Sequence, residues 1–202
     1  GLVRNLRIYE NSEVKEMTEY FALTEKGSVA AEKIIIATHF PFINTRGSYY
    51  LKLYQHRSYV LACAYEKNLK GMYLEADNIG LSLRNYKNYL LIGGGGHRTG
   101  KEKNSWDLLR DIAKEYFPEV KEQYFWATQD CMSLDKRPYI GPYSKNTPDL
   151  FVATGFGKWG MTGSMLSAMI LSDLVQEREN EYAAIFSPSR NILKPQLISN
   201  IG

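Results

Sequence analysis

The stretch FVATGFGKWGMTGS, residues 151–164, limits the fold more than any other. An apolar run suited to a strand, LFVAT, passes within a few residues into an apolar run suited to a helix. Gly155, Gly157, Gly160 and Gly163 stand in between. A glycine inside a helix costs about 1 kcal/mol relative to alanine. Four of them so close together imply something flat or crowded against the backbone at a strand-to-helix turn.

A second apolar run, VAAEKIIIATHFPF (29–42), ends in a similar way. Its continuous isoleucines read as a strand buried on both faces. Pro41 stops any ladder. If residues 29–38 and 149–154 share a sheet, their carboxyl ends lie side by side, where open α/β sheets place ligands. The helix opening near Gly160 offers free N–H groups and partial positive charge there, suited to a negative group. A wide, flat cofactor that becomes anionic fits, and a flavin is such a group. A tight strand–helix turn with no ligand accounts for the same pattern.

The rest of the chain reads mainly as antiparallel sheet. Residues 1–10 and TEYFALT (18–24) are strand candidates. QHRSYVLACAYE, GMYLEA, GLSLRNY and NYLLIGG supply more between 55 and 96, at the short spacing of hairpins rather than βαβ units. Gly93 to Gly96 read as a loop, and KRPYIGPYSKNTPDL (136–150) as a Pro/Gly loop. SWDLLRDIAKEYF (105–117) has the apolar spacing of an amphipathic helix, with Ser105 as N-cap and Pro118 past its end. A last helix runs from Gly160 to about Glu177.

With 202 residues, 44% of them hydrophobic, the chain can bury a sizeable core. The net charge of +3 comes from interspersed lysines and acids with no basic stripe, which argues against nucleic acid as a partner. No apolar run approaches the roughly 18 residues that span a bilayer, so no membrane is expected. Cys63 and Cys131 form neither a disulfide framework nor, with the histidines, any metal-ligand spacing. That pattern points to a reducing, cytoplasmic setting and to no metal site.

LFVATGFGKWGMTGSMLSAMILSDLVQERENEYAAIFSPSR resembles the C-terminal signature of the FAD-dependent amino-acid oxidase superfamily, the group of D-amino-acid oxidase, glycine oxidase and sarcosine oxidase. The likeness is nearest to a bacterial branch whose oxidoreductase carries a C-terminal Rieske domain. VAAEKIIIATHFPF, QHRSYVLA, GMYLEAD with LSLR, LLIGGGGHRTG and WATQDCMSLDKRPYIGPYS follow that branch in order. The resemblance implies FAD as cofactor and an amine or amino acid as substrate, with hydride passing to flavin N5. It implies that Gly155, Phe156, Gly157, Lys158, Trp159, Gly160, Met161 and Thr162 wrap the flavin. Ala37, Thr38 and His39 pass near it, and Val14 meets the adenine.

The family opens with a strand–GxGxxG–helix motif, and these residues contain none. GGGGHRTG follows LLI in the substrate region and is not that fingerprint. The expectation is therefore the C-terminal part of the oxidoreductase, lacking its N-terminal FAD-binding half and able to self-associate through exposed strand edges at 1–10, 30–37 and 149–154. The alternative is a non-catalytic remnant that binds a partner or small acid. The expected fold is α+β: a mostly antiparallel substrate-domain sheet with helix cover, plus partial FAD-binding, Rossmann-like α/β elements from both chain ends. The expected division is 1–45, 46–145 and 146–202.

Arg84 is the candidate anchor for a substrate carboxylate, because a guanidinium pairs with one bidentately; an exposed strand arginine is the plainer reading. Tyr59 and His97 are the other catalytic candidates. His97 is placed on a loop at the mouth of the site. His56, Arg57, Tyr73 and Tyr139 could line the same pocket, and Arg137 could approach the cofactor edge. Trp159 is expected to pack on the substrate domain.

Overall fold

The computed structural model describes residues 6–43, 47–76, 80–101 and 105–191. In chain order the elements are β1 (Val14–Met17), β2 (Phe21–Thr24), β3 (Gly27–Ala30), β4 (Ile34–Ile36), α1 (Tyr49–Lys52), β5 (Leu53–Ala64), β6 (Met72–Leu74), β7 (Ser82–Tyr86), β8 (Tyr89–Arg98), α2 (Ser105–Tyr116), β9 (Lys121–Ser133), β10 (Tyr139–Ser144), β11 (Thr147–Thr154), α3 (Gly160–Val175) and α4 (Ala183–Phe186). The fold is α+β, as expected.

Three sheets result. The first is the antiparallel meander β1-β2-β3. The second, β10-β11-β4, joins distant segments. β11 pairs parallel with β4, Leu150 to Ile34 and Val152 to Ile36, so the two apolar runs do end side by side. On one face of this sheet Ile36, Tyr49, Leu53, Tyr139, Tyr143 and Val152 form a core. On the other, α3 and α4 cover Ile140, Phe151 and Ala153.

The third sheet is antiparallel, in the order β6-β7-β8-β5-β9. Tyr59, Leu61 and Cys63 of β5 alternate onto one face and meet Leu90, Ile92 and the α2 residues Leu109 and Ala113. The helix thus covers the odd-numbered face of β5. Ser105 begins α2 itself, and its hydroxyl donates to the Gly95 carbonyl at 2.7 Å, tying the helix start to β8.

Several expectations need correction. The 29–42 run is two strands, β3 and β4, in different sheets. Residues 6–10 form no strand, and 1–5 lie outside the described residues. The 136–150 segment is a hairpin, because β10 is an edge strand and tolerates Pro142. β11 is flanked on both sides, so it offers no free edge; β4 does. Gly93 to Gly96 belong to β8 rather than to a loop.

Candidate functional site

The 155–160 turn is held from three sides. Gly155 and Gly157 have φ of 72° and 61°, left-handed values that strain residues with side chains. The Gly157 amide donates to the Cys131 carbonyl at 3.0 Å, and Phe156 bridges Met132, so the turn rests on the end of β9. The Phe156 ring lies on Gly163, where a Cβ would come within 2.8 Å of it. Lys158 reaches outward, its Nζ donating to Ser58 Oγ of β5 at 3.0 Å.

Ser58 lies on the even-numbered face of β5, opposite the α2-covered face. His56, Val60 and Ala62 share that side, because alternate strand residues do. In an antiparallel ladder directly paired residues also share a face. Ala62 pairs with Leu91, Leu91 with Arg84, and Arg84 with Met72. Arg84 therefore stands on the same face as Ser58. It is exposed, and makes no hydrogen bond or ion pair among the described residues.

Tyr59 and His97 are elsewhere. They sit on the α2-covered face, where the Tyr59 hydroxyl meets His97 Nε2 at 2.8 Å and the Tyr59 ring packs edge-on against Trp106. His97 Nδ1 is 2.8 Å from the Arg98 carbonyl. That contact makes Nδ1 the donor, and Nε2 accepts from Tyr59. His97 is thus a buried strand residue with both nitrogens occupied, and the sheet separates this pair from Arg84. The three catalytic candidates do not converge.

At the other strand end, the Thr154 hydroxyl donates to the His39 carbonyl at 2.9 Å, locking the ends of β4 and β11 together. Thr38 turns its hydroxyl to the Phe40 carbonyl, and His39 Nε2 lies 3.4 Å from Gln55 Oε1. Ala37, Thr38 and His39 are all exposed beside the glycine turn. Val14 starts β1 in the first sheet, which shares no ladder with β4 or β11. Trp159 does not pack on the third sheet: it is 72% exposed. Tyr139 is sealed in the core, Arg57 is exposed on the α2 side, and Tyr73 bonds the Leu69 carbonyl. Arg137 is taken up by Asp135.

Ser58 is the site residue that sequence reading passed over. Its signal was the period of β5, which puts it in step with His56. The His56 imidazole has its proton affinity lowered by burial first and by the Lys158 ammonium second, against the pull of Asp130. Burial likewise raises the Cys131 thiol beneath the turn.

A parallel strand pair ending in a glycine turn and helix, joined through Lys158 and Ser58 to an antiparallel sheet with one open face, defines an α+β protein built of two adjoining sheets. The chain belongs to the FAD dependent oxidoreductase family, DAO, whose model matches residues 2–174. It is 39% identical to the putative Rieske 2Fe-2S iron-sulfur protein YhfW of Bacillus subtilis over 95% of its own length and 40% of that protein. It shares its fold with glycine oxidase from Geobacillus kaustophilus, at a TM-score of 0.75 and 22% identity, over 91% of this chain and 53% of that one. L-proline dehydrogenase from P. horikoshii matches at a TM-score of 0.70 and 17% identity, over 90% and 54%. The chain therefore spans about half or less of the length of these relatives. No described helix is long and apolar enough to cross a membrane, and the described residues hold no cluster of metal-ligating side chains.

The residues present suit the ring of the flavin that this family implies. Gly160 opens α3 with nothing within 4 Å of a would-be Cβ. No side chain caps the helix, so its first-turn amides remain open to a negative group.

Proposed function

We propose that this chain is the C-terminal, substrate-binding part of an FAD-dependent oxidoreductase acting on amines or amino acids. The flavin ring would lie between the 155–160 turn and the open face of the third sheet. Lys158 carries the reading: its backbone belongs to the turn and its ammonium rests on Ser58, so turn and sheet border one space.

When bound, FAD supplies the acceptor for a hydride leaving the substrate's α-carbon. The chain's own residues do the rest. The uncapped amides of α3 would hold the negative edge of the ring. Ala37 to His39 and Gly155 to Thr162 line the cofactor, and Val14 approaches the adenine. Lys158, held at Ser58, is the cation beside the turn for a substrate carboxylate; Arg84 stands on the same face two strands away, with the apolar Val60 and Leu91 between them. Residues 1–45 and 146–202 form the flavin-side unit and 46–145 the substrate unit, with β10 joining the flavin side through its ladder to β11. The two unpaired, buried thiols suit a cytoplasmic protein.

β4 ends the second sheet with a free edge and Ile35 exposed on it. Along α3, Met161, Met165 and Met169 are 85%, 67% and 59% exposed. A parallel strand edge and an apolar helix face of this kind call for cover. The N-terminal FAD-binding half supplies it, and in its absence these edges self-associate.

The test is FAD titration of the chain, alone and joined to its N-terminal half, followed by anaerobic addition of single amino acids. Retained flavin that an amino acid bleaches is the expected result for the joined protein. Retained flavin that none bleaches would leave a binding module without redox work.

A further inference from the structure

We propose that Asp130 is a substrate-contacting residue, which holds the ammonium group of an amino acid whose carboxylate lies on Lys158. The proposal rests on the oxidoreductase reading above and names the charge type that its site would select.

The strands of the third sheet carry two acidic residues, Glu122 and Asp130. Glu122 is gripped by Arg110, at 2.8 and 2.9 Å on its two oxygens. Asp130 is half-buried and makes no hydrogen bond or ion pair among the described residues. Withdrawing a carboxylate from water without a partner is costly, so it marks a place where a cation belongs.

Strand parity puts that carboxylate at the site. Asp130 pairs directly with His56, so it stands on the face where Ser58 receives the Lys158 ammonium. Two residues further on, Met132 pairs with Phe156, and the Cys131 carbonyl takes the Gly157 amide. Asp130 therefore lies beside the glycine turn. Two residues back, Thr128 pairs with Ser58, where the ammonium rests. A two-residue step along a strand is about 7 Å. Anion and cation are offset by about that step, and they form no ion pair with each other. Hydrogen bonds of about 2.8 Å at either end would fit the two charged groups of one α-amino acid into that span.

Neither charged neighbour of Asp130 on β5 and β8 neutralises it. Burial and Lys158 hold the His56 ring below its ordinary proton affinity, against the pull of Asp130. Arg98, on the far side of His56, lies over the Tyr54 ring at 5.4 Å. A ligand ammonium is the cation that fits. The result is a charge filter. Lys158 alone would take any small carboxylate. Asp130 repels a second anion, and gains nothing from an N-acylated amino acid, whose nitrogen is neutral.

The experiment is an NMR titration of the isotope-labelled chain with acetate, methylammonium and glycine. Methylammonium and glycine should move the amide signals around Asp130. Asp130→Asn should weaken methylammonium binding about tenfold or more and leave acetate binding as tight or tighter. Asp130→Glu should restore part of the loss, and Lys158→Gln should weaken acetate while sparing methylammonium. Asp130 bonds no other described residue, so Asp130→Asn should keep the wild-type circular dichroism. Methylammonium that does not bind the wild type, or binds Asp130→Asn equally well, overturns the proposal. So does an equal loss of acetate and methylammonium in Asp130→Asn, the mark of a merely structural role. The parent reading is scored separately by flavin bleaching in the joined protein. Asp130-dependent methylammonium binding in a protein whose flavin no amino acid reduces sinks that reading and, with it, the substrate role of the site. Methylammonium binding indifferent to Asp130→Asn, beside a flavin that amino acids still bleach, sinks this proposal alone.

Discussion

The Arg190 guanidinium grips both carboxylate oxygens of Asp135, at 2.8 Å each, across 55 residues of chain. Both side chains are nearly sealed, at 7% and 5% exposure. The same guanidinium bonds the carbonyls of Pro138 and Phe186 and lies 3.8 Å over the Tyr139 ring. It fastens the segment after α4 to the turn that starts β10. Arg190→Ala would leave the buried Asp135 carboxylate to the more exposed Arg137 alone, and should cost about 2–3 kcal/mol in urea unfolding, less than a fully unpaired buried charge. Arg190→Lys cannot reproduce the fork and should recover only part of that. A loss within the range of an exposed pair, under about 1 kcal/mol, would falsify the clamp.

Acid sensitivity follows from the same pair. Burial alone would raise the Asp135 carboxyl, but Arg190 prevails and holds it down at about 2. A depressed carboxyl adds stability that is whole above its ordinary range, near 3.8, and is lost as pH falls toward 2. The amount is about 2 kcal/mol. Asp135→Asn should flatten the stability profile between pH 4 and pH 2. A variant that keeps the wild-type slope there would assign the acid limb to other groups.

Gly160 and Gly163 should part company on substitution. A Cβ at Gly163 meets the Phe156 ring at 2.8 Å, so Gly163→Ala must displace that ring and should cost about 1–3 kcal/mol. A Cβ at Gly160 meets nothing, so Gly160→Ala should leave thermal stability unchanged or raise it by up to about 1 kcal/mol. If the flavin lies against this turn, Gly160→Ala should nonetheless weaken FAD binding. Equal FAD affinity in wild type and Gly160→Ala would place the ring elsewhere.

The two thiols should be silent in the folded chain. Cys63 and Cys131 are buried, and burial raises both above the ordinary thiol range. Reaction with a chromogenic disulfide should appear only as denaturant unfolds the protein. Rapid modification under native conditions would show that the sheet above Cys131, and with it the turn, opens readily.

Sequence patterning made β11 and the two long helices legible, because burial on both faces leaves an unbroken apolar run and a half-buried helix leaves its periodic stripe; the isoleucines of β4 marked the strand but not its burial, since Ile35 is 45% exposed and only one face of β4 is covered. It did not make β10 legible. Gly141 and Pro142 look like loop residues, and only an edge position, unknowable without the sheet order, lets them pair. The glycines of β8 misled for a related reason. Gly96 is small because His56 lies across from it, and Gly93 because Ser82 does, 2.6 Å from a would-be Cβ. Residue type suggested Arg84, Tyr59 and His97 as a group. Strand parity and the side taken by α2 decide who meets whom, and they separate Arg84 from the other two.

The parallel pairing of β4 with β11 also dictates an order of assembly. β4 precedes the whole third sheet in the chain, and its partner β11 follows that sheet. That sheet and α2 are contiguous in sequence and can form first, while Ile34 to Ile36 wait for Leu150 to Val152. Closing so long a loop is slow, and the waiting strand stays exposed meanwhile. The glycine turn, tied to both β11 and β9, is then among the last parts to set.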